Sequence, residues 1–269
     1  MATTYGEITD MPKLAANLQW MFKEYELLDR YDAAAKAGFK GVEFQAPYSV
    51  PIDAIVERLE KNRLKHVIIN LPSADPDTGK NNISLNPARK DLFKERLQMA
   101  VEYAAGLGCI GVNTGVGPLP EGVDPEVAQA TLIDNQRLAA AALGQVGVKA
   151  LIEAINTIDQ PGFFIHQTAQ TRRLIDAIDH PNIGIQYDFY HMQIMEGNLA
   201  RTVQANLDRI WHIQLADTPG RHEPGTGEIN FNYLLPYLDE IGYEGWVGCE
   251  YDPLIGTEAS LGWAAPYLK

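Results

Sequence analysis

The sequence predicts a single closed (β/α)₈ barrel, the TIM-barrel form of the α/β class. Two observations predict it. Eight short β-compatible runs alternate with longer segments of helical spacing, and together they fill a chain of 269 residues, an ordinary size for eight such units. A third observation weighs against the main rival: no Gly-rich phosphate turn follows the first run, as a doubly wound dinucleotide fold would require. No Pro/Ser linker or break in composition divides the chain. Residues 13–269 therefore read as one barrel domain after an extension over residues 1–12.

The elements follow in order. Leu14–Leu18 is the first strand, and its helix, from about Glu24 to Ala37, stops at Gly38. Gly41–Phe44 is the second strand, with a helix opened by Pro51. His66–Asn70 is an apolar third strand. Beyond the polar loop Ser73–Asn82, Asn86 and Pro87 supply the cap and first turn of a helix running to about Leu107. Ile110–Thr114 is the fourth strand, and Asp124-Pro125 opens the helix after it. The fifth strand, Ala150–Ala154, precedes a helix over Thr168–Asp179 that His180-Pro181 ends. Ile183–Asp188 leads to a short helix near Leu199–Asn206. Ile210–Gln214 leads to a helix near Phe231–Ile241, ended by Gly242, and Trp246–Glu250 precedes a last helix at the C-terminus.

Composition narrows the function classes. An apolar fraction of 46% supports a substantial core and excludes disorder over most of the length. The 22 basic against 35 acidic residues give a net charge of −13, which repels phosphate backbones and argues against a nucleic-acid partner. No apolar run is long enough to span a membrane, and residues 1–12 lack the basic-then-apolar order of a secretory signal. Cys109 and Cys249 are too few for a disulfide framework or a Cys-rich zinc site and read as reduced. The expectation is a cytoplasmic protein without a membrane partner. Tyr48 and Phe189 read as exposed apolar loop residues that would allow a homo-oligomer.

Chemistry in such barrels sits where strands end. Glu153, Asp188, Gln214 and Glu250 close four successive strands, each about one βα unit from the next. Residues two apart share a strand face. Leu151, Gln186, His212 and Gly248 then join these four inside, while Ile152, Tyr187, Trp211 with Ile213, and Cys249 face the helices. Three converging carboxylates repel one another, and a divalent cation removes the conflict. With a carboxamide oxygen they form an all-oxygen shell suited to Mg²⁺ or Mn²⁺ rather than zinc. Glu153 and Glu250 would face each other across it, a pairing suited to removing a carbon-bound proton and returning one to a neighbouring carbon or the opposite face.

The chain also resembles the hydroxypyruvate isomerase family of xylose-isomerase-like barrels. The likeness rests on Leu14–Leu18, Ala35–Phe44, Asn70-Leu-Pro, Asn156-Thr and Pro161-Gly-Phe-Phe. More specific are Tyr190–Gly197, Pro219–Glu228 and Gly245–Tyr251. It implies interconversion of hydroxypyruvate and tartronate semialdehyde, or of 2-oxo-tetronates in close relatives. Metal ligands would fall on Glu153, Asp188, Gln214 and Glu250, and the proton-transferring pair on Glu153 and Glu250. Two departures stand out: Ala154, where similar sequences usually carry proline, and the more polar Thr114-Gly-Val-Gly beside the expected pocket.

Further substrate-binding candidates surround these four. His191 stands in an Asp-x-x-His arrangement that related sugar epimerases use to hold substrate oxygens. Arg221 offers a fork that matches a substrate carboxylate. Asn70 and Glu43 point inward at strand ends toward substrate hydroxyls, with a rim-capping role the alternative for Glu43. His212 either orients the metal shell or is a hydrogen-bonded core histidine. Trp20, Trp211 and Trp246 read as packing residues. A ketose 3-epimerase is the alternative on the same barrel, although its shell carries histidine in place of Gln214. A non-catalytic sugar-acid binding protein is a third reading, and a His-rich, multi-metal repair endonuclease fits the composition poorly.

Overall fold

Parallel strands and their helices build residues 12–268, which the computed structural model describes; the expected extension lies outside these residues except for Pro12. The strands are β1 (Lys13–Asn17), β2 (Gly41–Glu43), β3 (Lys65–His66), β4 (Ile68–Asn70), β5 (Gly111–Asn113), β6 (Lys149–Glu153), β7 (Ile183–Asp188), β8 (Ile210–Leu215) and β9 (Trp246–Cys249). All pair in parallel, in the order β3-β2-β1-β9-β8-β7-β6-β5-β4. β3 and β4 are two halves of one stave either side of Val67. The Val67 amide donates to Val42 O, and its carbonyl accepts from the Ile110 amide. That single residue joins both ends of the order, so the sheet closes into the expected eight-staved barrel.

The helices are α1 (Leu27–Lys36), α2 (Ile52–Asn62), α3 (Lys90–Gly106), α4 (Pro125–Gln145), α5 (Thr168–Ile178), α6 (Phe189–Met195), α7 (Leu199–Ala205), α8 (Phe231–Glu240) and α9 (Thr257–Ser260). The start signals act as their chemistry dictates. Asp124 Oδ1 accepts from the Glu126 and Val127 amides with Pro125 in the first turn, and Asn86 Oδ1 accepts from the Ala88 amide. α6 has no counterpart in the sequence expectation. Asp188 both ends β7 and caps α6, accepting from the Tyr190 amide at 2.8 Å, so no loop announces the helix. The C-terminal helix is only the single turn of α9 followed by a 3₁₀ segment. Among the described residues no helix is long and apolar enough to cross a membrane.

The barrel interior is layered. Its floor is apolar: Ala15, Ile68 and Leu151 with Trp211 and Trp246 against them. Trp211 corrects the parity expectation. The register pairs Ile185 with Ile210 but Gln186 with His212, leaving Trp211 as an extra residue in a bulge. Its indole packs on Gly184, where a Cβ would lie 2.4 Å from the ring. Two further corrections concern assembly: Phe189 is fully buried, and Tyr48 is half-buried, edge-on to Tyr103, with its hydroxyl donating to Asn70 O. Neither supplies the exposed apolar surface expected of it.

Candidate active site

Above the floor lies a polar layer that is closed to solvent. Glu43, at the end of β2, accepts from Asn17 Nδ2 (3.2 Å) and Gln214 Nε2 (2.9 Å), and its Oε1 lies 2.5 Å from His212 Nε2. Gln214 Oε1 accepts from Gln186 Nε2. This layer exists because β9 carries Gly248 at the matching height: a Cβ there would sit 2.2 Å from Glu43 Oε1. Glu43 and His212 therefore do not reach the pocket, contrary to the expected substrate contacts. They support Gln214 from below.

The third layer opens into a cavity of about 400 Å³ at the C-terminal ends of the strands. Its walls include Gln45, Asn70, Asn113, Glu153, His191 and Glu250. Arg221 and the Gly115–Gly117 turn, within the departure noted after strand four, also line it. Asn70 thus stands at the pocket wall as expected. Arg221 Nη2 lies 3.0 Å from Glu250 Oε1 and 3.7 Å from Asp188 Oδ2. Its guanidinium carbon lies over the rings of both Trp20 (4.6 Å) and Tyr190 (5.1 Å). The structure thus brings Glu153, Asp188, Glu250, His191 and Arg221 around one space.

Electrostatics follow from burial. Glu153 is pushed well above the usual carboxylate range by desolvation and then by the charges of Glu250 and Asp188, with Arg221 and the Asn113 hydrogen bond (2.8 Å) opposing. Glu250 is pushed up to about 7 by desolvation; Arg221 pulls it down most strongly, while Asp188 and Glu43 push it up. Desolvation holds His191 down at about 4, against the pull of Asp188. Its tautomer is set by neighbours. Asn156 Oδ1 accepts from the Ile158 and Asp159 amides, which leaves Asn156 Nδ2 to donate to His191 Nδ1 at 2.7 Å. The proton of the neutral ring is then on Nε2, which points at Asp188 Oδ2 (3.5 Å) and Glu153 Oε1 (4.0 Å). His191 is built as a hydrogen-bond donor, not a metal ligand.

The residues fit a divalent cation. Asp188 Oδ2 is buried without a hydrogen-bond partner among the described residues, and carboxylate oxygens of Glu153 and Asp188 lie within 4.8 Å of each other. Glu250 completes the set of three carboxylates, and Gln214 Oε1 keeps a second lone pair beyond its bond from Gln186.

Several participants escaped the sequence expectations. Asn113 closes β5 on the same face as Gly111, so the strand-end rule that found Glu153 would have found it. Gln45 (2.5 Å) and Trp20 (3.1 Å) both donate to Glu250 Oε1, and neither ends a strand. Trp20 is therefore a site residue, not the packing residue expected. Asp217 holds the loop that carries Arg221. Its Oδ1 accepts from the Thr218 and Ile229 amides and its Oδ2 from those of Gly225 and Gly227.

Comparison with known proteins agrees with this architecture. Residues 31–267 match the family described as xylose isomerase-like TIM barrel. The chain is 44% identical to hydroxypyruvate isomerase of Escherichia coli over 96% of its own length and 100% of that protein. It is 41% identical to 2-oxo-tetronate isomerase of Pectobacterium atrosepticum, over 96% and 99%. Among solved structures, one titled AP endonuclease, family 2, from Brucella melitensis superposes with a TM-score of 0.93 at 39% identity, covering 96% of this chain and 100% of that one. The 3-keto-D-glucoside 4-epimerase of Escherichia coli shares the fold, with a TM-score of 0.80 at 23% identity over 94% and 98%.

Proposed function

Because the chain belongs to the xylose isomerase-like TIM barrels and is an isomerase, we propose that it interconverts a short hydroxy-oxo acid and its isomer by moving a proton between Glu153 and Glu250. The substrate is hydroxypyruvate, giving tartronate semialdehyde, or the four-carbon 2-oxo-tetronate. The observation that carries this reading is the meeting of two buried glutamates around one guanidinium, with Arg221 contacting Glu250 at 3.0 Å and both carboxyls raised by burial. A carboxyl raised in this way is a better base than an ordinary carboxylate, as proton abstraction from carbon requires. The net charge of −13 further supports a small acid over a nucleic acid.

Arg221 holds the substrate carboxylate. Its Nη2 is committed to Glu250, while Nη1 has no hydrogen-bond partner among the described residues. One glutamate takes a proton from the hydroxylated carbon, leaving an enediolate across the two carbons. The other returns a proton to the former carbonyl carbon, and the hydroxyl proton passes from one oxygen to its neighbour. His191 Nε2–H donates to the oxygen that gains negative charge. A divalent cation, Mg²⁺ or Mn²⁺, held by Glu153, Asp188, Gln214 and Glu250 would polarise the carbonyl and offset the charge of three carboxylates.

Proton NMR in deuterated water tests this reading. Hydroxypyruvate and 2-oxo-tetronate are expected to gain deuterium at carbon and to isomerise, and a chelator is expected to stop both. Glu250→Gln, whose amide cannot accept the proton, is expected to lose turnover by about a hundredfold or more with its fold intact. Retained turnover in that variant rules out the two-glutamate mechanism. Faster turnover of ketoses than of oxo acids favours the epimerase alternative.

A further inference from the structure

We infer that Trp20 is a positioning residue with two separable tasks: its N–H holds the base Glu250, and its ring face holds the carboxylate anchor Arg221. The inference rests on the proposed function for what Glu250 and Arg221 do. The geometry concerns Trp20 itself. Glu250 Oε1 accepts hydrogen bonds from Trp20 Nε1 at 3.1 Å and Gln45 Nε2 at 2.5 Å and is ion-paired with Arg221, whose Nη2 lies 3.0 Å away. All three act on the same oxygen. The other oxygen of Glu250 is therefore the one left to meet a substrate proton, and the carboxylate plane is set by donors arriving from β1's loop, β2's loop and β8's loop.

The same indole carries Arg221, with the guanidinium carbon 4.6 Å from its ring centre and 5.1 Å from that of Tyr190. Arg221 needs such a guide because its backbone is in the left-handed region, at φ 59°, and among the described residues the only backbone acceptor of its side chain is Glu250 O at 3.3 Å. Cation–π contact with two rings holds the fork in place, which limits the directions in which it offers hydrogen bonds. One side chain thus sets the distance between the group that anchors the acid and the group that moves the proton. A neutral sugar would gain nothing from the second task, so the arrangement favours substrates with a carboxylate next to the reacting carbons.

Two variants separate the tasks. Trp20→Phe keeps an aromatic face and removes the N–H. It is expected to lower kcat about tenfold with KM unchanged, the loss of one of two hydrogen bonds to a charged group. Trp20→Leu removes both, and is expected to lower kcat similarly and raise KM about fivefold as the cation–π contact disappears. Trp20 is only half-buried, so both variants are expected to fold; matched circular dichroism and melting curves check this. Gln45→Met removes another Glu250 donor without touching Arg221, and should reproduce the Trp20→Phe pattern. Binding of D-glycerate, which has the carboxylate but no carbonyl to isomerise, is measured by calorimetry. It should be unchanged by Trp20→Phe and weakened about fivefold by Trp20→Leu. Equal effects of the two Trp20 variants on both kcat and glycerate binding overturn the two-task assignment. Loss of turnover in Glu250→Gln alongside unaffected Trp20 variants sinks this inference and leaves the proposed reaction standing. Absence of turnover in the wild type, with the glycerate split observed, does the reverse.

Discussion

Asp217→Asn isolates the device that holds the Arg221 loop. In the wild type each carboxylate oxygen accepts two backbone amides: Oδ1 from Thr218 (2.9 Å) and Ile229 (3.0 Å), Oδ2 from Gly225 and Gly227 (both 2.9 Å). The residue is fully buried. Asparagine has the same shape but converts one acceptor into a donor. Whichever way the amide turns, two backbone N–H groups lose their partner and face an NH₂ group. At about 1.5–3 kcal/mol for each charge-assisted bond, the loss is roughly 3–6 kcal/mol. For a chain of this size that corresponds to a melting temperature lower by about 6–15 °C. Because Arg221 rides on this loop, kcat/KM measured well below the melting range should also fall. Scanning calorimetry and steady-state kinetics read the two effects. A variant melting within about 2 °C of wild type would falsify the claim that this carboxylate holds the loop.

Two further outcomes concern buried layers. Gly248→Ala places a methyl carbon 2.2 Å from Glu43 Oε1, in a layer with no solvent access. A destabilisation of about 2–3 kcal/mol in urea unfolding is expected, with activity reduced because Gln214 loses its support; wild-type stability would show that the layer has slack the structure does not reveal. His66, fully buried with Tyr31 Oη and Cys109 Sγ near its ring, is held down at about 3 by desolvation, well below its ordinary value of 6.5. Between those values the unfolded chain binds a proton that the folded chain does not, so this group contributes stability that is lost as pH falls below about 6.5. The stability difference between wild type and His66→Leu should therefore move against the wild type by about 2 kcal/mol from pH 7 to pH 5, since other titrating groups are common to both. A difference independent of pH refutes the assignment.

The barrel was legible in the sequence because its signals are local. Alternation of strand and helix, Asp124-Pro125 and Asn86-Pro87 as helix starts, and polar residues closing successive strands are each read within a few residues. The same locality made Glu153, Asp188 and Glu250 identifiable, because a parallel barrel carries every strand end to one face. What the sequence left undetermined depends on height within the cylinder and on contacts between distant segments. Strand ends do not by themselves assign a layer, so Glu43 read as a substrate contact although it lies beneath the pocket against His212. One bulged residue reverses parity, and that turned Trp211 inward. Trp20 and Gln45 meet Glu250 across 230 and 205 residues of chain, from loops whose course no periodicity describes. Residue type and spacing determined which chemistry the chain carries; closure of the barrel decided which of those groups touch, because only there do the strand heights and the loops that cross them become fixed.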